Sequence, residues 1–211
     1  MKKGIIFDMD GTLWDSAAEV AASWSETVKK SGYHRAPITV KDMQQVMGKT
    51  MDVIARILFP DLEEEKRQAL LAQCGEEEND YLRVHGAALY PDIRETMEQL
   101  KQNYHLYIVS NCQSGYIEAF LDYYKLQDLI EDIECYGNND KPKGENIALL
   151  YQRNHLDDAV YVGDIQGDYE ASMEAGVKFI HAAYGFGTIK DKVPEIHTFC
   201  ELTDVAEQVL R

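Results

Sequence analysis

The chain has 211 residues, 45% of them hydrophobic, with a formal net charge of -16 and a pI near 4.7. That length can bury a real core, as one domain or as a domain carrying an insertion. The acidic balance argues against nucleic-acid or anionic-membrane partners, whose phosphates the protein's field would repel. It also works against a phosphorylated substrate unless the site supplies positive charge locally. No long apolar span and no n-region followed by an h-region is present, so a soluble cytoplasmic protein is expected.

The first element is a short apolar run, Ile5-Ile6-Phe7, that ends in Asp8-Met9-Asp10-Gly11-Thr12. Runs of this kind read as buried parallel strands. In extended backbone residues i and i+2 point the same way, so Asp8 and Asp10 can face one point. Two carboxylates converging at a strand end repel each other unless a cation sits between them. Gly11 lets the chain turn sharply and Thr12 adds a hydroxyl beside the site. A strand followed by an Asx-type turn explains one aspartate and the glycine, but not the pair.

From about Asp15 to Gly86 no convincing β run occurs, and the segment reads as helices. Ala17, Val20, Ala21, Trp24 and Val28 recur at helical spacing, with Gly32 as a stop and Trp24 as core packing. Val40 to Met47 predicts a second helix ended by Gly48, and Met51 to Leu58 a third stopped near Phe59-Pro60. A long polar helix follows, with a break expected at Gly75. Its Glu63, Glu64, Glu65, Glu76, Glu77 and Glu78 read as a solvated face.

After Tyr90-Pro91 helices and strands alternate. Helices are expected near 92–103, 114–125, 145–155, 168–176 and 203–210, and strands near 105–110, 131–135, 159–163 and 177–181. This alternation predicts an α/β fold with a doubly wound parallel sheet. The strand His105 to Val109 ends in Ser110-Asn111, and Val160 to Val162 ends in Gly163-Asp164, with Asp168 beyond. Lys141-Pro142-Lys143-Gly144-Glu145-Asn146 opens a helix between them. Open α/β sheets bind ligands beyond their strand carboxyl ends, where three of these four clusters fall. Cys74, Cys112, Cys135 and Cys200 lack metal-ligand spacing and read as free thiols in a reducing compartment, with Cys112, two residues past Ser110, either an oxidation-sensitive thiol or, as expected here, a buried structural one.

Asp8-x-Asp10-Gly11-Thr12, Ser110, the lysine and Gly163-Asp164 with Asp168 together resemble the haloacid dehalogenase-like superfamily, in its phosphatase branch related to phosphoglycolate phosphatase. The resemblance covers essentially the whole chain and rests chiefly on the first motif. It implies a Rossmann-like core over residues 1–14 and 87–211 and an inserted α-helical cap over 15–86. It implies a magnesium-dependent phosphatase acting on a small phosphorylated metabolite, such as phosphoglycolate, a sugar phosphate or a nucleotide. Asp8 would be the nucleophile that forms an aspartyl-phosphate, and Asp10 the general acid and base. Mg2+ would be held by the side chains of Asp8 and Asp164 and the backbone carbonyl of Asp10.

Ser110 would donate to a phosphate oxygen, while Asn111 is either a substrate contact or a turn residue. Asp168 is either an acid beside the metal ligands or the N-cap of the next helix. Lys141-Pro142 resembles the family's common form, and Lys143-Gly144 a variant without that proline. The distance from Lys143 to Gly163-Asp164 fits the variant better, so Lys143 is expected to orient the phosphoryl group. Lys49, between two helices of the inserted segment, is either a substrate contact or a solvated lysine; His34, Arg35 and Arg56 are weaker candidates. Tyr184-Gly185-Phe186-Gly187 reads as a tight loop bordering the site. A monomer or homodimer is expected. A phosphomutase using the same aspartyl-phosphate, or a non-catalytic phosphate-binding regulatory module, are the competing readings.

Overall fold

A computed structural model describes all of residues 1–211. The first strand, β1 (Lys3–Phe7), lies at the centre of a six-stranded parallel sheet. It pairs on one side with β4 (His105–Ser110), which is followed by β5 (Asp132–Cys135). On its other side come β6 (Asp158–Gly163), β7 (Lys178–Ala182) and the two-residue β8 (Glu195–Ile196). The order β5-β4-β1-β6-β7-β8 reverses direction around β1, so ligand-binding loops gather above its carboxyl end.

Both sheet faces are buried, which is why the central strands carry unbroken apolar runs. Ile5, Phe7, Leu106, Ile108, Val160 and Val162 point into one apolar cluster. Their alternating neighbours Ile6, Tyr107, Val109 and Tyr161 point into a second. The first face is covered by α5 (Ile93–Leu100), α6 (Tyr116–Tyr124) and α10 (Leu202–Val209). The second is covered by α8 (Lys143–Arg153) and α9 (Gln166–Glu174), through side chains such as Ile147, Leu150 and Ala171. The expected doubly wound α/β sheet is present, with boundaries shifted by one to three residues at most helix ends.

Between β1 and β4 the chain forms α1 (Ala17–Ser31), α2 (Val40–Val46), α3 (Met51–Leu58) and α4 (Glu64–His85). Gly32 closes α1 at φ 79°, as its position predicts. Thr39 and Asp42 form a reciprocal capping box on α2. Two expectations for α4 are corrected. It runs unbroken through Gly75, because one glycine weakens a helix without removing its hydrogen bonds, and here the small residue lets the Gln113 side chain approach. Nor do all its glutamates face water: Glu78 is only 3% exposed.

The segment enters and leaves through a two-stranded antiparallel ribbon, β2 (Trp14–Asp15) with β3 (Ala88–Leu89), which is too short to register as a periodic pattern. The short helix α7 (Tyr136–Asn139) and strand β8 are likewise absent from the sequence reading. Trp24 packs in the core as expected, in the same apolar cluster as Phe7. All four cysteines are free, and no helix is long and apolar enough to cross a membrane.

Candidate active site

Asp8 follows β1, Ser110 ends β4 and Asp164 follows β6, so three neighbouring strands deliver their terminal side chains to one place. Lys143, the first residue of α8, extends its buried side chain to the same place. Its Nζ donates to Asp8 Oδ1 at 2.9 Å and to Asp168 Oδ1 at 2.5 Å. The ammonium is buried, and burial pulls its pKa down, but Asp168 and Asp8 outweigh that and hold it charged above its ordinary value. Lys141 instead forms an exposed pair with Glu145 at 3.0 Å. The structure therefore brings Lys143, not Lys141, to the acidic cluster.

Asp168 is the third residue of α9 rather than its N-cap. Its Oδ2 accepts from the backbone N–H groups of Asp164 and Ile165, at 3.0 and 3.1 Å, while Oδ1 is held by Lys143. Both oxygens are thus committed to fixing the loop and the lysine. Gly163 tolerates this because a side chain there would collide with Asp168.

Carboxylate oxygens of Asp8, Asp164 and Asp168 lie within 4.8 Å of one another. Only one ammonium faces this cluster. Burial, then repulsion from Asp168, pushes the Asp8 carboxyl up to about 7 against the pull of Lys143. Burial, then repulsion from Asp168 and Asp8, holds Asp164 well above the usual carboxylate range. Asp164 Oδ2 accepts from the Phe186 N–H at 2.7 Å, but its Oδ1 is buried with no partner. An orphaned carboxylate oxygen beside Asp8 in an excess of negative charge fits a hard divalent cation. Asp8 and Asp164 have oxygens to offer it, and Asp168 does not.

Asp10 is half-buried and turned toward the α1–α4 side. Its Oδ1 accepts from Ser16 Oγ at 2.5 Å and from Tyr116 Oη at 2.7 Å, and those two hydroxyls meet at 2.9 Å. Burial raises its pKa while these bonds oppose the rise. Gly11 turns the chain at φ 84°, pressed against Asp164, and any side chain there would strike that carboxylate. Thr12 is fully buried behind the turn, where its carbonyl accepts from Tyr184 Oη at 2.8 Å. Gly185 is required by close approach, since a Cβ would meet Asp164 and the Gly11 carbonyl.

Above the acids lies a small cavity of about 40 Å³, room for one or two waters. Asp8, Asp10, Ser110 and Asn111 form its floor, and Trp24, Met47, Lys49 and Glu78 are among the residues above. Lys49 thus lines the cavity, on the exposed loop between α2 and α3. His34, Arg35 and Arg56 do not: Arg35 holds the Leu58 carbonyl and Arg56 pairs with Asp52. Sequence reasoning missed Ser16, Tyr116 and Glu78. Cys112 lines the cavity as a buried thiol whose pKa burial pushes up, as a structural thiol's should be.

Fold and site together define an α/β protein with a lysine-braced acidic cluster at the carboxyl edge of its sheet. The chain belongs to the haloacid dehalogenase-like hydrolases, whose family model matches residues 5–182. It is 28% identical over 212 residues to a phosphoglycolate phosphatase from Aliivibrio fischeri, covering 92% of this chain and 91% of that one. A phosphoglycolate phosphatase from Aquifex aeolicus is also 28% identical, over 200 residues, covering 90% and 89% of the two chains. The crystal structure of a predicted phosphoglycolate phosphatase from Haemophilus somnus superposes with a TM-score of 0.81 at 22% identity, over 97% of this chain and 98% of that one, and shows the shared fold.

Proposed function

We propose that this hydrolase is a magnesium-dependent phosphatase that transfers the phosphoryl group of a small phosphomonoester to Asp8 and then to water. The observation that carries the reading is the buried Lys143 ammonium bridging Asp8, which lines the cavity, to Asp168 behind it. An ionised carboxylate needs no base to attack phosphorus. Lys143 holds Asp8 in place and lies where phosphoryl oxygens would gather charge. Ser110 supplies a hydroxyl to the same spot. Asp10, oriented by Ser16 and Tyr116 and raised in pKa by burial, is suited to protonate the leaving oxygen and later to take a proton from water. Asp8 and Asp164, with the Asp10 carbonyl, would hold Mg2+, which when bound offsets the repulsion between Asp8 and an anionic ester. The two relatives named phosphoglycolate phosphatase support ester hydrolysis of this kind.

Residues 15–86 act in this reading as a cap over the core of 1–14 and 87–211. The small cavity between the two suits a cap that opens to admit substrate and closes over it. Free cysteines suit a reducing cytoplasm.

The test is phosphate release from a broad panel of phosphomonoesters, with Mg2+ and with EDTA. Release is expected only with metal, and Asp164→Asn is expected to raise the Mg2+ concentration for half-activation about tenfold or more. A folded, magnesium-loaded protein that hydrolyses no ester would overturn the reading.

A further inference from the structure

Among the cavity's polar groups that have no part in the phosphoryl chemistry, two bear on recognition. The first is Asn111. Its Nδ2 donates to the Gly48 carbonyl at 2.9 Å, which sets the amide's orientation, and its Oδ1 is buried without a partner. A buried acceptor in that state costs free energy until a donor meets it. The second is Glu78, which reaches the cavity from α4 and accepts from Trp24 Nε1 at 2.5 Å. A buried indole N–H needs an acceptor, and a neutral amide would serve. A carboxyl does that and also gives the leaving-group side an acidic wall.

Recognition of a second anion would need the opposite arrangement, cations and donors. Lys49 is the only cation lining the cavity, and it stands in solvent where its field is screened. Glu78 is desolvated, so its charge or dipole acts at close range with little screening. Val20, Met43, Met51 and Ile54 complete the wall with apolar surface suited to carbon.

We propose that the substrate is the phosphate ester of an uncharged, hydroxyl-bearing alcohol, a polyol or sugar, whose hydroxyls donate to Asn111 Oδ1 and to the Glu78 carboxyl. Esters whose leaving group bears a carboxylate are selected against, because a carboxylate offers only acceptors and leaves the buried Asn111 Oδ1 without a donor. This rests on the phosphatase reading and narrows it. Glu78 and Asn111 are then specificity residues outside the acidic centre.

The full-length protein with Mg2+ at one fixed pH would be given 2-phosphoglycolate, phosphoethanolamine, glycerol 3-phosphate, several sugar monophosphates and phenyl phosphate. The best polyol or sugar ester should exceed 2-phosphoglycolate at least tenfold in kcat/KM. Asn111→Leu should raise the KM of that ester about tenfold more than it raises that of phenyl phosphate. Glu78→Gln, which keeps an acceptor for Trp24 and serves if the leucine variant does not fold, should shrink the preference over 2-phosphoglycolate to below threefold. The proposal is overturned if 2-phosphoglycolate or phosphoethanolamine is the best substrate, or if neither variant moves its ratio. Should no ester release phosphate, the phosphatase reading itself falls and takes this narrowing with it.

Discussion

Asp8→Asn is expected to lower phosphate release by about 10⁴-fold or more while leaving the fold intact. The amide has nearly the carboxylate's shape but is not a nucleophile toward phosphorus. The same variant should melt at a higher temperature than the wild type at pH 8 in EDTA. The reason is the sign of the shift on Asp8. Burial and Asp168 raise its carboxyl from 3.8 to about 7, so the folded state prefers the protonated form. Stability from this group is present below its ordinary pKa and is lost as the pH climbs toward 7. Asparagine carries no charge to desolvate, and Lys143 keeps Asp168 as a partner. Added Mg2+ should stabilise wild type more than the variant, because the variant lacks one anionic ligand. Calorimetry in EDTA and in Mg2+ checks both statements. An Asp8→Asn protein that still turned over at wild-type rate would remove the aspartyl nucleophile from the mechanism.

The parts of this site that were legible in the sequence share one physical cause. Strands buried on both faces must be apolar throughout, so the first polar residue after each run marks the sheet's carboxyl edge. Asp8, Ser110 and Asp164 are such residues, and they meet because β4 and β6 flank β1. Lys143 came from the family resemblance, whose variant without the proline fits its distance to Gly163-Asp164 better than the common form fits Lys141. The residues that orient Asp10 were not legible. Tyr116 lies 106 positions from it, and only the packing of α6 against the α1–α4 segment brings its hydroxyl there. The two-residue strands β2, β3 and β8 are too brief for any period to show.

Glu78 was hidden for a different reason. It ends the acidic run Glu76-Glu77-Glu78, which reads as one solvated stretch, yet successive helical residues point about 100° apart. Glu76 faces solvent and Glu77 is held at the surface by Thr27 and Lys30. One step further round, Glu78 turns in to Trp24, 54 positions away. Nothing local in the sequence distinguishes it from its neighbours.

That inward turn carries the second large effect. Burial raises the Glu78 carboxyl from 4.5 to about 8, with the Trp24 bond opposing the rise. Because the folded pKa lies above the unfolded one, the group's contribution is fully present below about pH 4.5. It is lost progressively as pH rises to about 8, as the unfolded state ionises and the folded state resists. The loss is on the order of 5 kcal/mol. Glu78→Gln keeps an oxygen for Trp24 and has no charge to desolvate, so this component of the pH dependence disappears. Denaturant unfolding of both proteins at pH 5 and pH 8.5 isolates it: the variant should be favoured over wild type by several kcal/mol more at the higher pH. Parallel pH profiles for the two proteins would mean that Glu78 ionises in the folded state as readily as in the unfolded chain. Its carboxyl would then be in contact with water or a cation, and the tight, acid-walled cavity between the α1–α4 segment and the sheet would not be the state populated in solution.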